Sequence, residues 1–210
     1  MTFELLTGSV AWLGALVVVL GAITISIFAI RMQQPVLALF GLLPIGLGVL
    51  ALVLGIFVPV PPLLPGLVAL GLVSLAIIGG NPVTVWVLDR AARGAVDDGA
   101  HGGILVPAVS TTGATSSTAR TAKTREVLRG GTWIGYLERL AVVAAIAIGH
   151  YEIIAAVIAI KGLGRFSELD APEARERFIV GTLVSLIWAA LCGGLIFFGI
   201  VPGALGVYTP

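Results

Sequence analysis

Ser9 to Ile30 carries about 20 apolar or small residues with no charge among them, and as a helix rising about 1.5 Å per residue it spans roughly 30 Å of hydrocarbon. A bilayer core offers no water to backbone N–H and C=O groups, so a helix that satisfies its own backbone is required there. Further apolar runs follow at Val36–Val58, Leu63–Ile78, Thr132–Lys161 and Phe178–Val201. The expectation is an all-α, polytopic membrane protein of about five hydrophobic helices. Composition agrees: 58% of residues are hydrophobic and 11% charged, against about 25% charged in soluble proteins, and mean hydropathy is +1.10. The first run has no positive segment before it and exceeds a signal-peptide core of roughly 7–15 residues, so it is read as a retained span.

Val36–Val58 contains Pro44 and four glycines, a pattern that predicts an interior helix kinked near Pro44. Pro59-Val60-Pro61-Pro62 reads as a short stiff turn, because proline fixes φ and removes a donor. The third run meets Gly79-Gly80-Asn81-Pro82. Asn followed by Pro is a helix-start signature, so the third helix is expected to break near Gly79–Pro82 and resume to Asp89-Arg90, with Trp86 at the interface.

Residues 1–90 therefore form an N-terminal three-helix membrane region, and 91–131 a mobile polar loop. The Ser/Thr tract within that loop cannot bury enough apolar area to offset its ordering entropy. Residues 132–210 form a C-terminal membrane module. The loop and its flank carry Arg90, Arg93, Arg120, Lys123, Arg125 and Arg129, which the positive-inside rule places in the cytoplasm, with the N-terminus outside. The connection from Lys161 to Arg177 is also basic. It conflicts with a single crossing by a long fourth helix, which would put that connection outside.

That fourth helix, about 132–161, carries the polar residues of most interest. At about 100° per residue, Arg139, His150 and Lys161 fall on one stripe, with Glu138 and Glu152 on a neighbouring face. Charges at membrane depth normally face protein or water and pair with one another. His150 and Glu152, two apart, point different ways on a continuous helix. They are candidates for a proton or ion pathway; the competing reading makes them interhelical hydrogen-bonders or the flanks of a break at Gly149. Gly181, Ser185 and Ala189, four apart, offer a small-residue face for helix packing.

The segments Ile134-Gly135-Tyr136-Leu137-Glu138-Arg139, Ala159-Ile160-Lys161 with Arg165-Phe166, and Gly181-Thr182-Leu183-Val184-Ser185 together resemble the C-terminal membrane module of an uncharacterised bacterial membrane-protein family of unknown function. In that family the pattern reads IGxLER, AKxxxRF and GTLxS. The Ala, Gly and Val richness is similar to that of high-GC bacteria such as actinobacteria. The resemblance covers about the last third of the chain. It implies that Glu138, Arg139, Lys161, Arg165, Gly181, Thr182 and Ser185 act as one unit, with Glu138 balancing Arg139 or Arg165 and the hydroxyls of Thr182 and Ser185 meeting leftover donors.

Several functions are disfavoured. A net charge of +1, without a basic stripe, gives no support for nucleic-acid binding. Cys192 is the sole cysteine, so no internal disulfide or CxxC redox pair can form. No metal site, cofactor or catalytic residue is expected, Ser185 with His150 being the only nucleophile and base available. The leading reading is a structural, accessory or oligomerising subunit in the bilayer, partnered by a second copy or a larger complex. The alternative is a small transporter or channel using His150 and Glu152.

Overall fold

The computed structural model describes residues 2–56, 63–91, 104–107, 124–127, 131–164 and 172–200. Apolar sequence of helix-forming composition gives α1 (Thr2–Arg31), a 3₁₀ segment (Pro35–Gly41) running into α2 (Leu42–Val53), α3 (Leu63–Ala91), α4 (Gly131–Ala147), α5 (Glu152–Gly164) and α6 (Pro172–Leu195), which ends in a π-helical turn (Ile196–Ile200). Four of these stretches are long and apolar enough to cross a bilayer: Leu6–Arg31, Pro35–Val53, Leu63–Ala91 and Ala174–Ile200. The protein is a multi-pass, all-α membrane protein. Two short strands, Ile104–Pro107 and Thr124–Val127, pair antiparallel within the polar stretch 91–131. The rest of that stretch, where the mobile loop was expected, lies outside the described residues.

Side-chain neighbours set the helix directions. Val19 packs at Gly71 and Ser26 beside Gly79, so α1 and α3 run parallel. Trp188 meets Gly41 and Leu195 meets Gly48, so α2 runs with α6; Arg139 reaches Gly80 and Ile146 reaches Gly193, so α4 runs against α3 and with α6. The end of α1, the end of α3 and the starts of α4 and α6 therefore share one face of the bundle. A core of Val19, Leu72, Leu75, Val142, Val143, Trp188 and Cys192 joins α1, α3, α4 and α6.

The expected long fourth helix is corrected by the break at Gly149. Gly149 adopts φ +76°, and its own N–H and that of His150 close onto the Ile146 and Ala145 carbonyls at 3.0 and 2.8 Å. That is a Schellman termination, which favours glycine because a Cβ is strained at positive φ. The chain then reverses into α5, which packs mainly on α4. Lys161 returns to Glu138, so the end of α5 lies at the face from which α4 began.

The expected break in the third helix is likewise corrected. α3 is continuous, with Pro82 buried inside it. In lipid a proline is tolerated inside a helix that neighbouring helices pack against, and here α4 and α6 also donate to the Ile77 and Leu75 carbonyls just before it. Pro44 also differs from expectation. It occupies the third position of α2, where a helix needs no intrahelical N–H, and the change of helix type falls at Gly41–Leu42 instead. Within α2 only Pro44 and Ile45 are buried, so it is a peripheral helix, not an interior one.

Candidate functional site

The polar side chains that a bilayer penalises converge on one side of α3. Three α3 carbonyls around Gly79-Gly80 each receive a side-chain donor. Trp188 Nε1 on α6 donates to the Leu75 carbonyl at 3.3 Å. Arg139 Nε on α4 donates to that of Ile77 at 3.0 Å. Thr84 Oγ1 donates to that of Gly80 at 2.7 Å. Pro82 has no N–H to give to Ile78, and these bonds lie within a turn or two of that gap.

Gly79 and Gly80, read in the sequence as breakers, make room for this arrangement. A Cβ at Gly80 would lie 2.5 Å from Arg139 Cδ and 3.0 Å from Trp188 Cδ1, and one at Gly79 would lie 2.9 Å from Trp188 Cζ2. Gly41 receives the other edge of the same indole, 2.9 Å from Cη2. Trp188 thus keys three helical segments together. Sequence reasoning missed it, since a tryptophan in an apolar run has no pattern that distinguishes a key from a lipid-facing ring.

Arg139 is 3% exposed. Its Nη1 donates to Ser185 Oγ on α6 at 3.0 Å, and its guanidinium stands 5.4 Å from the Tyr136 ring centre. Nη2 has no hydrogen-bond partner. Glu138 next to it pairs with Lys161 of α5, at side-chain exposures of 10% and 17%, while Lys161 Nζ lies 5.7 Å from the Phe178 ring centre. Glu138 therefore balances Lys161 across the hairpin. Two cations and one carboxylate leave this cluster at +1, and extra hydrogen bonds are what offset the desolvation of such buried charge.

The other candidate residues are placed as follows. Ser185 joins the cluster, whereas the buried Thr182 hydroxyl, one turn earlier, makes no hydrogen bond. Arg165 lies outside the described residues. The Gly181, Ser185, Ala189 face packs inward: Gly181 sits against Thr84 and Leu88 of α3, and Ser185 and Ala189 are buried. His150 and Glu152 stand at the opposite end, on the turn after α4. There the break brings them together, the imidazole Nδ1 donating to the Glu152 carboxylate at 2.7 Å with both side chains well exposed. A hydrogen bond from its own backbone N–H, followed by that from His150, holds the Glu152 carboxyl below its ordinary pKa.

This arrangement fastens α3, α4 and α6 together. Ser185 is engaged by a guanidinium with no base beside it, and His150 is on the far turn. Among the described residues no group of three His, Cys, Asp or Glu side chains could hold a metal ion. No protein-family model, curated protein or solved structure matches this chain.

Proposed function

We propose that the protein is a helix-packing subunit of the membrane, an accessory component of a larger assembly or a homo-oligomer, and not a carrier of its own chemistry. The observation that carries this reading is α5. It is apolar, has no buried residue and is fastened to α4 through Lys161 and Glu138, so most of its circumference is open to a neighbour. The α3–α4–α6 cluster then serves as the latch that holds the α4–α5 hairpin in register. The resemblance of the segments around Glu138, Lys161 and Ser185 to one bacterial membrane module fits a unit of this kind. The pairing of His150 with Glu152 on an exposed turn supports a structural role for both over a conducting one.

The same reading includes an orientation. The described Lys and Arg residues of the helices stand at or near helix ends on one face, with Arg139 within the first turns below it. Among the described residues the opposite face has none. The positive-inside rule makes the basic face cytoplasmic, with the start of α1 and the end of α6 on the outer side. On this reading the ends of α5 and α6 that flank the connection lie at the basic face, in line with the connection's own basic residues.

Cysteine crosslinking in native membranes tests the proposal. In a Cys192→Ala background, Ile160→Cys on the outer face of α5 should crosslink to a second copy or to a stoichiometric partner under mild oxidation. A chain that stays monomeric and uncrosslinked, and purifies alone in mild detergent, would remove the subunit reading. Proteoliposome flux that depends on His150→Ala or Glu152→Gln would favour transport instead.

A further inference from the structure

A cavity of about 370 Å³ lies between α1, α2, α3 and the end of α6, in the half of the bundle away from the basic face. Trp12, Gly14 and Ala15 line it from α1, Gly48 and Leu52 from α2, and Leu72 from α3. Every lining residue is apolar or glycine apart from the indole N–H of Trp12. Water held there would lack the two to four polar partners that a buried water requires, so the space suits a hydrocarbon occupant.

Shape and depth narrow the occupant. The walls are the bilayer-crossing stretches themselves, so the cavity sits at hydrocarbon depth. Along α1 its lining runs from Ala11 to Val19, roughly 12 Å at about 1.5 Å per residue. It is a slot aligned with the spans, the direction in which lipid tails run. Close packing would have filled it with side chains; here Gly14 has no neighbouring atom within 4 Å of where a Cβ would be, and the α2 wall presents Gly48.

We infer that this slot binds one acyl chain of a membrane phospholipid, as a lipid site distinct from the polar latch. The chain packs against Trp12, Leu52 and Leu72 where a side chain would otherwise be needed. Each methylene transferred from bulk lipid gains contacts by packing rather than by the hydrophobic effect, so the interaction depends on fit. Filling the slot with protein atoms should therefore expel the lipid without unfolding the bundle.

Native mass spectrometry of protein purified from membranes in mild detergent provides the test. Wild type should retain one phospholipid per chain at collision energies that strip detergent, and Gly14→Leu and Ala15→Phe should each lower the retained fraction at least fivefold. Val17→Leu, on the lipid-facing side of α1, should leave retention unchanged. A wild type free of phospholipid, an isoprenoid in its place, or equal retention in the folded slot variants would overturn the inference. Should those variants fail to fold, wild type reconstituted with dibrominated phosphatidylcholine and diluted into unlabelled detergent supplies a second reading. Quenching that persists in wild type and is lost in Trp12→Phe supports the site, and quenching that vanishes on dilution overturns it.

Discussion

Replacing Glu138 by Gln removes the carboxylate from the Lys161 pair while preserving the side chain's shape. The two side chains are 10% and 17% exposed, so the ammonium left behind has little water to turn to. Breaking a buried pair from one side costs about 3–5 kcal/mol. The Phe178 ring at 5.7 Å and the amide oxygen of the new Gln each keep some stabilisation, which brings the expected loss to about 3 kcal/mol. Lys161→Met should cost somewhat less, because Arg139 remains beside the stranded carboxylate. The double variant Glu138→Gln/Lys161→Met should recover to within about 1 kcal/mol of wild type, since two apolar or neutral groups need no charge partner. Equilibrium unfolding in mixed micelles gives the four stabilities of the cycle. A pair of spin labels at Ile134 and Leu163, on the exposed sides of α4 and α5, reports whether the hairpin opens. Single losses below about 0.5 kcal/mol, or losses that simply add in the double variant, would refute the latch.

Three further outcomes are expected. Gly80→Ala places a Cβ 2.5 Å from Arg139 Cδ, on a side chain anchored at both ends, and should cost about 2–3 kcal/mol by overpacking; a neutral effect in the same unfolding assay would show that Arg139 is not held there. Gly149→Val forces a β-branched residue to φ +76°, costing about 1–2 kcal/mol and widening the distribution of α4–α5 label distances; an unchanged distribution would show that the turn does not depend on glycine. Finally, Glu152 has a lowered pKa in the folded protein, so its contribution is present at neutral pH and is lost as pH falls through that lowered value. The His150 ring resonances, followed by NMR across the acidic range, should report the loss of the contact in wild type and show no such step in Glu152→Gln.

Which parts of this were legible beforehand follows from how local each physical cause is. The apolar runs at Ser9–Ile30, Leu63–Ile78 and Phe178–Val201 are measured against the thickness of hydrocarbon, a comparison needing no knowledge of neighbours. That Glu138, Arg139 and Lys161 turn toward protein was visible for the same reason: charge in such a run has to do so. Their partners were not. Glu138 meets Lys161 because the chain folds back, and a periodicity computed along one straight helix cannot register a reversal. His150 and Glu152 were separated by that same assumption and are joined by the turn that violates it.

Pro82 and Gly149 show where the division lies. Both carry breaking signals in the sequence, yet the helix passes through Asn81-Pro82 and stops at Gly149. What distinguishes them is the surroundings: Pro82 is buried in a helix packed against α1, α4 and α6, whereas Gly149 closes a Schellman turn with its own preceding residues. The sequence by itself determined that this is a helical protein of the bilayer whose charges near Glu138 and Arg139 must face protein. Only the tertiary structure decided which breaker breaks, which cation meets Glu138 and where the apolar slot opens, because each depends on donors, partners or voids supplied by helices far apart in the chain.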